Sequence, residues 1–222
     1  MNYEIFETKE RVLADNDAAA AETRASLRER GCFFINLMGS PGAGKTTLLL
    51  RLIDALKDRY AIGVMEADVD SDVDARAVAR AGARVIQLHT GGLCHMDADM
   101  TRRGLERLDV RGLDLVVLEN VGNLVCPAEF DVGADLRLML LSVPEGDDKP
   151  LKYPLMFTVS DGLAVTKMDA APAFDFDLAA MEARVRALNP EMRIFPVAPD
   201  DKAGFAALAD WLTERIEEVR GK

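Results

Sequence analysis

Short apolar segments alternate along this chain with longer stretches in which apolar residues recur at helical spacing. Residues 32–38 are apolar apart from Asn36 and predict a strand buried on both faces. Further strands are predicted at residues 61–65, 84–88, 115–118, 138–142, 162–166 and 193–197. Helices are predicted at residues 75–81, 98–108 and 178–188. Two more helical stripes consist of Leu48, Leu49, Leu52, Ile53 and Leu56, and of Phe205, Leu208, Ala209, Leu212, Ile216 and Val219.

This alternation predicts an α/β fold with a single, mostly parallel sheet flanked by helices. Residues 1–30 are rich in Ala, Glu and Arg and contain neither Gly nor Pro, so they predict an N-terminal helical segment of one or two helices that Gly31 ends. No repeat, low-complexity tract or linker interrupts the remainder. We therefore expect one compact unit over residues 31–222.

A glycine-rich turn separates the first predicted strand from the first amphipathic helix. Residues 39–46 read GSPGAGKT and match the phosphate-loop pattern GxxxxGK[ST] at every fixed position. In such a loop the backbone N–H groups converge on phosphate oxygens at the positive end of a helix. Lys45 should reach the β- and γ-phosphates, and the Thr46 hydroxyl should bind Mg²⁺. The expected nucleotide contacts here are Gly42, Ala43, Gly44, Lys45, Thr46 and Thr47.

Acidic residues occupy alternate positions after the second predicted strand: Glu66, Asp68, Asp70, Asp72 and Asp74. In an extended segment these carboxylates would share one face and repel one another. The cluster is then a solvated loop, binds a cation, or has raised pKa values. Because a carboxylate at the end of a neighbouring strand commonly assists Mg²⁺ or the attacking water in P-loop proteins, we expect Asp68, nearest the strand end, to do so.

Residues 166–169, Thr-Lys-Met-Asp, follow another apolar strand and resemble a guanine-reading loop. Asp169 could accept hydrogen bonds from guanine N1–H and the exocyclic amine, and the stem of Lys167 could cover the base. The usual signature is NKxD, so Thr166 stands in the place of Asn. Because a hydroxyl lacks an amide's simultaneous donor and acceptor, we expect a relaxed preference for guanine.

Cys94 and His95 follow a glycine-containing turn, and Cys126 comes 32 positions after Cys94. Thiolate and imidazole ligands suit Zn²⁺ or Ni²⁺. Three protein ligands leave one position for water, a carboxylate or a second subunit. On spacing alone, unconnected surface thiols remain an alternative. Cys32 adjoins the first apolar strand and is expected in the core.

Composition narrows the possible partners. The chain has 27 Lys plus Arg against 38 Asp plus Glu, a net charge of −11, which repels the phosphates of nucleic acids. Its three cysteines are too few for a disulfide framework. The sequence has no apolar stretch long enough for a membrane span and no leader pattern at residues 1–10. We therefore expect a cytoplasmic protein without nucleic-acid or membrane partners.

Together these motifs resemble the hydrogenase nickel-incorporation GTPases (HypB), which belong to the SIMIBI class of P-loop GTPases with the urease accessory GTPases and the CobW-type metallochaperones. The resemblance is carried by INLMGSPGAGKTT at 35–47, CHMDA at 94–98, ENVGNLVCPA at 119–128 and EGDDKPLKYP at 145–154. The Cys-His pair combined with ENVGNLVCP is the most specific part. The segment 145–154 has no motif of known chemistry and supports the resemblance alone.

The resemblance implies a GTPase that converts GTP to GDP and delivers Ni²⁺ during maturation of the [NiFe]-hydrogenase active site. It implies catalytic roles for Lys45, Asp68 and Glu119, and Mg²⁺ binding by Thr46, Asp68 and Glu119. It also implies a GTP-dependent homodimer, whose partners are the hydrogenase large subunit and a second maturation metallochaperone. The residues that match the family's Ni²⁺ or Zn²⁺ ligands at the dimer interface are Cys94, His95 and Cys126.

Some positions depart from the family pattern. Residues 197–200 read VAPD where a serine-alanine loop is usual, and neither a histidine-rich tract nor a cysteine motif precedes Cys32. The sequence thus resembles a minimal member. Two other functions stay open at this level: an ATP-dependent kinase or ligase with incidental thiols, and a non-catalytic metal-binding protein in which the nucleotide is structural.

Overall fold

Seven strands form one sheet that is parallel at every pairing, which confirms the predicted fold class. The computed structural model describes residues 8–68, 73–198 and 201–221. Asp70 and Asp72 of the acidic segment and the loop residues 199–200 lie outside these ranges. The strand order is β3-β2-β4-β1-β5-β6-β7. The strands are β1 (Phe33–Gly39), β2 (Ile62–Asp68), β3 (Arg84–His89), β4 (Leu115–Glu119), β5 (Leu136–Ser142), β6 (Gly162–Thr166) and β7 (Arg193–Pro196).

Helices connect the strands and cover both faces of the sheet. The helices predicted from periodicity are all present, and the N-terminal segment contains one helix of 22 residues. No helix among the described residues is both long and apolar enough to cross a membrane. The helices are α1 (Thr8–Glu29), α2 (Lys45–Leu56), α3 (Val73–Ala81), α4 (Ala98–Leu108), α5 (Cys126–Glu129), α6 (Lys149–Lys152), α7 (Pro154–Val159), α8 (Leu178–Leu188) and α9 (Lys202–Arg220).

The central strand β1 is buried on both faces because helices cover both faces of the sheet. Phe33, Ile35 and Leu37 pack with residues of α2 and α9. Phe34 points to the opposite face, towards α1 and α4, and Met38 packs there with residues of α7 and α8. This two-sided burial explains why the strand is a continuous apolar run and not an alternating one.

The N-terminal helix α1 is attached to the rest of the chain by packing and by charge. It lies against α4 and β1. The Arg24 guanidinium donates to both carboxylate oxygens of Asp131, at 2.9 and 2.6 Å, and to the carbonyl oxygen of Ala134 at 2.8 Å. Because charged hydrogen bonds in partly buried positions are stronger than exposed ones, this contact holds the segment onto the sheet layer.

The parallel arrangement brings several chemically active residues to one edge of the sheet. Gly39 ends β1, Asp68 ends β2, Glu119 ends β4 and Thr166 ends β6. Open α/β sheets bind ligands outside the carboxyl ends of their strands. The candidate site is therefore expected at this edge.

Candidate nucleotide and metal sites

The phosphate loop joins β1 to α2 and leaves backbone donors free at the start of the helix. Gly42 and Gly44 have φ angles of 74° and 96°, in the left-handed region that glycine adopts without strain. Gly44 is the N-cap of α2, and no side chain caps this helix. The N–H groups of its first turn can therefore donate to phosphate oxygens.

A cavity of about 600 Å³ opens between the phosphate loop and the ends of β2, β3 and β4. Its volume lies in the range of small-molecule sites. Ala43 is a buried residue of the loop itself, and Asp169 is exposed on the 3₁₀ turn after Lys167. The predicted site residues that line the cavity are Gly42, Gly44, Lys45, Thr46, Thr47, Asp68, Glu119 and Lys167.

Lys45, Thr46 and Glu119 form the polar centre of this cavity. The Thr46 hydroxyl donates to Glu119 Oε1 at 2.9 Å. Lys45 Nζ donates to the carbonyl oxygens of Gly39 at 3.3 Å and Ser40 at 3.2 Å. Burial lowers the pKa of Lys45, while the nearby Glu119 acts in the opposite direction. The cationic head is thus held at the phosphate loop next to a carboxylate.

Glu66 is a further carboxylate of the cavity, which the sequence did not distinguish from its acidic neighbours. It pairs in register with Glu119 on β4 and with Gln87 on β3. Burial, followed by the charge of Glu119, raises the pKa of Glu66 to about 9. Of the outcomes open for the acidic segment, a raised pKa therefore applies at this position. The sequence signal that could have identified Glu66 is the alternation along β2, which places it on the same face as Ile62 and Val64.

Several polar atoms of these three paired residues are buried without a hydrogen-bond partner among the described residues. They are Glu66 Oε1, Glu119 Oε2 and both amide atoms of Gln87. Such groups cost about 1–3 kcal/mol each when unsatisfied. Carboxylates and the Thr46 hydroxyl are oxygen ligands of the kind that Mg²⁺ prefers. The donor set therefore fits a Mg²⁺-nucleotide complex.

Cys94, His95 and Cys126 converge on one point. The two Sγ atoms are 3.1 Å apart, and Cys94 Sγ lies 3.7 Å from His95 Nδ1. The ligand atoms all lie within 4.8 Å of one another, and they form the one such group of three within the described residues. Asp97 caps α4 just after the Cys-His pair, and Cys126 is the first residue of α5. The thiols are therefore not the unconnected surface groups that the spacing left open.

The surroundings of the cluster favour metal binding by the imidazole. The His95 ring stacks on Phe130 with centroids 4.1 Å apart. Burial lowers the pKa of His95, which favours the neutral form that binds metals. The hydrogen bond with Cys94 raises the pKa of Cys126, so a metal must displace a proton from the thiol pair. Cys32 lies in the core as expected, where burial raises its pKa to about 12.

Comparison with known proteins identifies the family of this chain. Residues 33–196 match the family described as CobW/HypB/UreG, nucleotide-binding domain. The hydrogenase maturation factor HypB of Rhizobium leguminosarum bv. viciae is 42% identical over 208 residues, which are 94% of this chain and 70% of that protein. This chain belongs to the HypB branch of that family.

Solved structures support the same assignment of this HypB-family chain. The crystal structure of HypB from Helicobacter pylori in complex with nickel superposes with a TM-score of 0.86 at 36% identity and covers 92% of this chain and 96% of that one. The 54 kDa signal recognition particle protein of Aeropyrum pernix, in complex with GDP, has a TM-score of 0.57 at 20% identity and covers 83% of this chain and 49% of that one. The latter likeness concerns the fold alone and agrees with the predicted P-loop class.

Thr166, the departure from the NKxD signature, supports the phosphate loop in this HypB-family chain. Its hydroxyl donates to the carbonyl oxygen of Ala43 at 2.6 Å, and Lys167 Nζ donates to the carbonyl oxygen of Gly42 at 2.8 Å. Thr166 is buried and lies at the end of β6. Since its donor is used inside the protein, the residue bears on the position of the loop and not directly on the base.

Replacing Thr166 with valine is therefore expected to weaken GTP and ATP binding by the same factor, about tenfold. The lost hydrogen bond leaves the buried Ala43 carbonyl unsatisfied, at a cost of about 1–3 kcal/mol. Competition with a fluorescent nucleotide measures both affinities. Thr158→Val, which removes an exposed hydroxyl bonded to the Pro154 carbonyl oxygen, should change neither. A loss confined to GTP would contradict this interpretation and assign Thr166 to base selection.

Replacing Glu66 with glutamine should remove a pH dependence from the stability of the nucleotide-free protein. The pKa of Glu66 is raised from 4.5 to about 9 on folding. Between these pH values the folded state binds more protons than the unfolded state, so wild-type stability falls as pH rises. Between pH 6 and 8 the wild type should lose up to about 3 kcal/mol more than Glu66→Gln, since one proton changes stability by about 1.4 kcal/mol per pH unit.

Urea unfolding in the presence of a chelator measures the free energy of unfolding of each protein at both pH values. Glu106→Gln alters an exposed glutamate paired with Arg102 and is the matched control, which should keep the wild-type pH slope. An identical slope in wild type and Glu66→Gln would show that Glu66 is already ionised at pH 6.

Proposed function

We propose that this chain hydrolyses GTP and delivers nickel during maturation of the [NiFe]-hydrogenase active site, and that GTP promotes its homodimerisation. Its family supplies the first support, since its relatives are named hydrogenase maturation factors and the Helicobacter pylori HypB structure holds nickel. The chemistry of the two sites supplies the rest.

One observation carries the proposal: a single short segment reaches from the nucleotide cavity to the metal ligands. Glu119 contacts Thr46 at the phosphate loop, and Cys126, seven residues later, contacts Cys94. A shift of Glu119 between nucleotide states therefore moves a metal ligand. Order–disorder changes of such switch segments are the usual response of GTPases to hydrolysis.

In the nucleotide site, Lys45 binds the β- and γ-phosphates and Thr46, Asp68 and Glu119 hold Mg²⁺, with Glu66 beside them. When bound, Mg²⁺ neutralises phosphate charge. Lys167 covers the base, and Asp169 accepts hydrogen bonds from guanine. The described residues that line the cavity include no arginine, so hydrolysis is expected to be slow.

In the metal site, Cys94, His95 and Cys126 supply three ligands, and a second copy of the chain completes the coordination. Leu93 and Val125, each directly before a ligand cysteine, are both 51% exposed. Exposed apolar residues beside an incomplete ligand set support a contact across a two-fold axis. Zn²⁺ suits the same ligands as Ni²⁺. The acceptors of the metal are the hydrogenase large subunit and a second maturation metallochaperone.

The decisive experiment is a Ni²⁺ titration of the wild type with GDP and with a non-hydrolysable GTP analogue. We expect at least about tenfold tighter binding with the analogue, which corresponds to about 1.4 kcal/mol of coupling between the sites. Light scattering on the same samples should show a dimer with the analogue. Equal Ni²⁺ affinities in the two states would count decisively against a nucleotide-controlled chaperone. In a competition assay, a clear preference for ATP over GTP would favour the ATP-dependent enzyme instead.

A further inference from the structure

Asn123 lies between the phosphate loop and the metal ligands and contacts both. Its backbone N–H donates to the carbonyl oxygen of Gly39 at 3.2 Å, forming an isolated antiparallel bridge to the end of β1. Its side-chain Nδ2 donates to the carbonyl oxygen of Cys94 at 3.2 Å, and its Oδ1 accepts from the Val125 N–H at 2.9 Å.

The neighbouring residue shows how closely this segment approaches the phosphate loop. A Cβ atom on Gly122 would lie 2.8 Å from the backbone nitrogen of Pro41 and 3.0 Å from its Cα. The first distance is shorter than real Cβ atoms show, and the second is tighter than most of their contacts. The backbone before Asn123 therefore packs directly on the loop, and a displacement of either is passed to the other.

We propose that Asn123 is a positioning residue that sets the separation of Cys94 and Cys126 and ties it to the phosphate loop. This proposal rests on the proposed function because it takes Ni²⁺ as the bound metal. An amide suits this place because it donates and accepts at once. The donor fixes the Cys94 segment and the acceptor fixes the residue before Cys126, so one side chain holds both halves of the metal site.

A second asparagine braces the same segment from inside. Asn120 Nδ2 donates to Asn36 Oδ1 at 3.0 Å, and Asn120 Oδ1 accepts from the Val121 N–H at 2.9 Å. Asn120 is 1% exposed and Asn36 is fully buried, so substitutions there would disturb the core. Asn123 is only half-buried, so its replacement leaves the core intact. It is therefore the position to test.

Two variants separate the contacts of Asn123. Asn123→Ala removes donor and acceptor, whereas Asn123→Asp keeps the acceptor for Val125 and loses the donor to Cys94. The matched control is Asn189→Ala, because Asn189 is a half-buried asparagine whose Nδ2 donates to the carbonyl oxygens of Phe157, Thr158 and Ser160, far along the chain from the metal ligands. Thermal unfolding checks that every variant is folded.

The measurements are the nucleotide-free Ni²⁺ affinity by chelator competition, the thiolate-to-nickel absorbance, and the ratio of Ni²⁺ affinities with the GTP analogue and GDP. For Asn123→Ala we expect about tenfold weaker nucleotide-free binding, an altered absorbance and an affinity ratio near 1, because two hydrogen bonds of about 1 kcal/mol each position the thiols. Asn123→Asp should lie between Asn123→Ala and the wild type. GTP affinity should stay within twofold, and Asn189→Ala should behave as the wild type throughout.

The proposal is overturned if Asn123→Ala binds Ni²⁺ without nucleotide as tightly as the wild type does. It is also overturned if the wild type has an affinity ratio above 1 and Asn123→Ala keeps that ratio. If the wild-type ratio is itself 1, the proposed function fails and the nucleotide-free affinity alone decides the role of Asn123. Should Asn123→Ala unfold, Asn123→Asp decides by the same readouts.

Discussion

Replacing Lys45 with alanine is expected to lower kcat/KM for GTP hydrolysis by about 100- to 1,000-fold, the usual cost of removing one group that stabilises transition-state charge. Lys45 Nζ is held by two carbonyl oxygens of the phosphate loop, where the β- and γ-phosphates would bind. Its removal also leaves the cavity next to Glu119 without its nearby positive charge, which raises the cost of bringing in a polyanion. Phosphate release measures hydrolysis, and a fluorescent nucleotide measures binding separately.

Lys57→Ala is the matched control because Lys57 lies at the C-terminal end of the same helix and is exposed. It forms an exposed ion pair with Asp54 at 2.8 Å, a contact of small energy. We expect wild-type hydrolysis in this variant. Hydrolysis within tenfold of the wild type in Lys45→Ala would contradict the assignment of the loop. Unchanged nickel transfer in Lys45→Ala would indicate that the nucleotide is structural.

The fold was largely predictable because burial on both faces leaves a direct trace in the sequence. Residues 33–39 read as an apolar run since helices cover both faces of β1. Short helices leave no such trace. The helices α6 and α7, of four and six residues, are too short for a periodic stripe, and each has a proline in its first turn. The resemblance at 145–154 covers α6 and ends at Pro154, the first residue of α7.

The candidate site was predictable where neighbours in sequence act together and less so where strand register decides. The phosphate loop is one continuous motif, so its residues could be named from the sequence. Glu66 and Gln87 become cavity residues because register aligns them with Glu119 across three strands. The partner of Thr166, the Ala43 carbonyl, lies 123 positions away, so its role could not be inferred from the signature alone.

Replacing Cys126 with alanine is expected to weaken Ni²⁺ binding by more than about 100-fold in every nucleotide state, because substitution of mere outer-shell partners already costs 10- to 100-fold. The two remaining ligands, Cys94 and His95, are adjacent in sequence and cannot enclose an ion. The variant should also lose the dependence of Ni²⁺ affinity on nucleotide, since Cys126 ends the segment that begins at Glu119. Chelator competition with GDP and with a GTP analogue measures both effects.

Cys32→Ala is the control that separates metal ligation from the loss of a thiol. Cys32 is fully buried, and burial raises its pKa to about 12, so it should not supply a thiolate to the metal at neutral pH. Its removal should leave Ni²⁺ affinity at the wild-type value. Hydrolysis of GTP in Cys126→Ala should also persist, because Glu119 and Thr46 keep their contact. If Cys126→Ala, which lacks the thiol pair, bound Ni²⁺ as tightly as the wild type, the metal would have to bind elsewhere. The proposed physical link between GTP hydrolysis and Ni²⁺ release would then be lost.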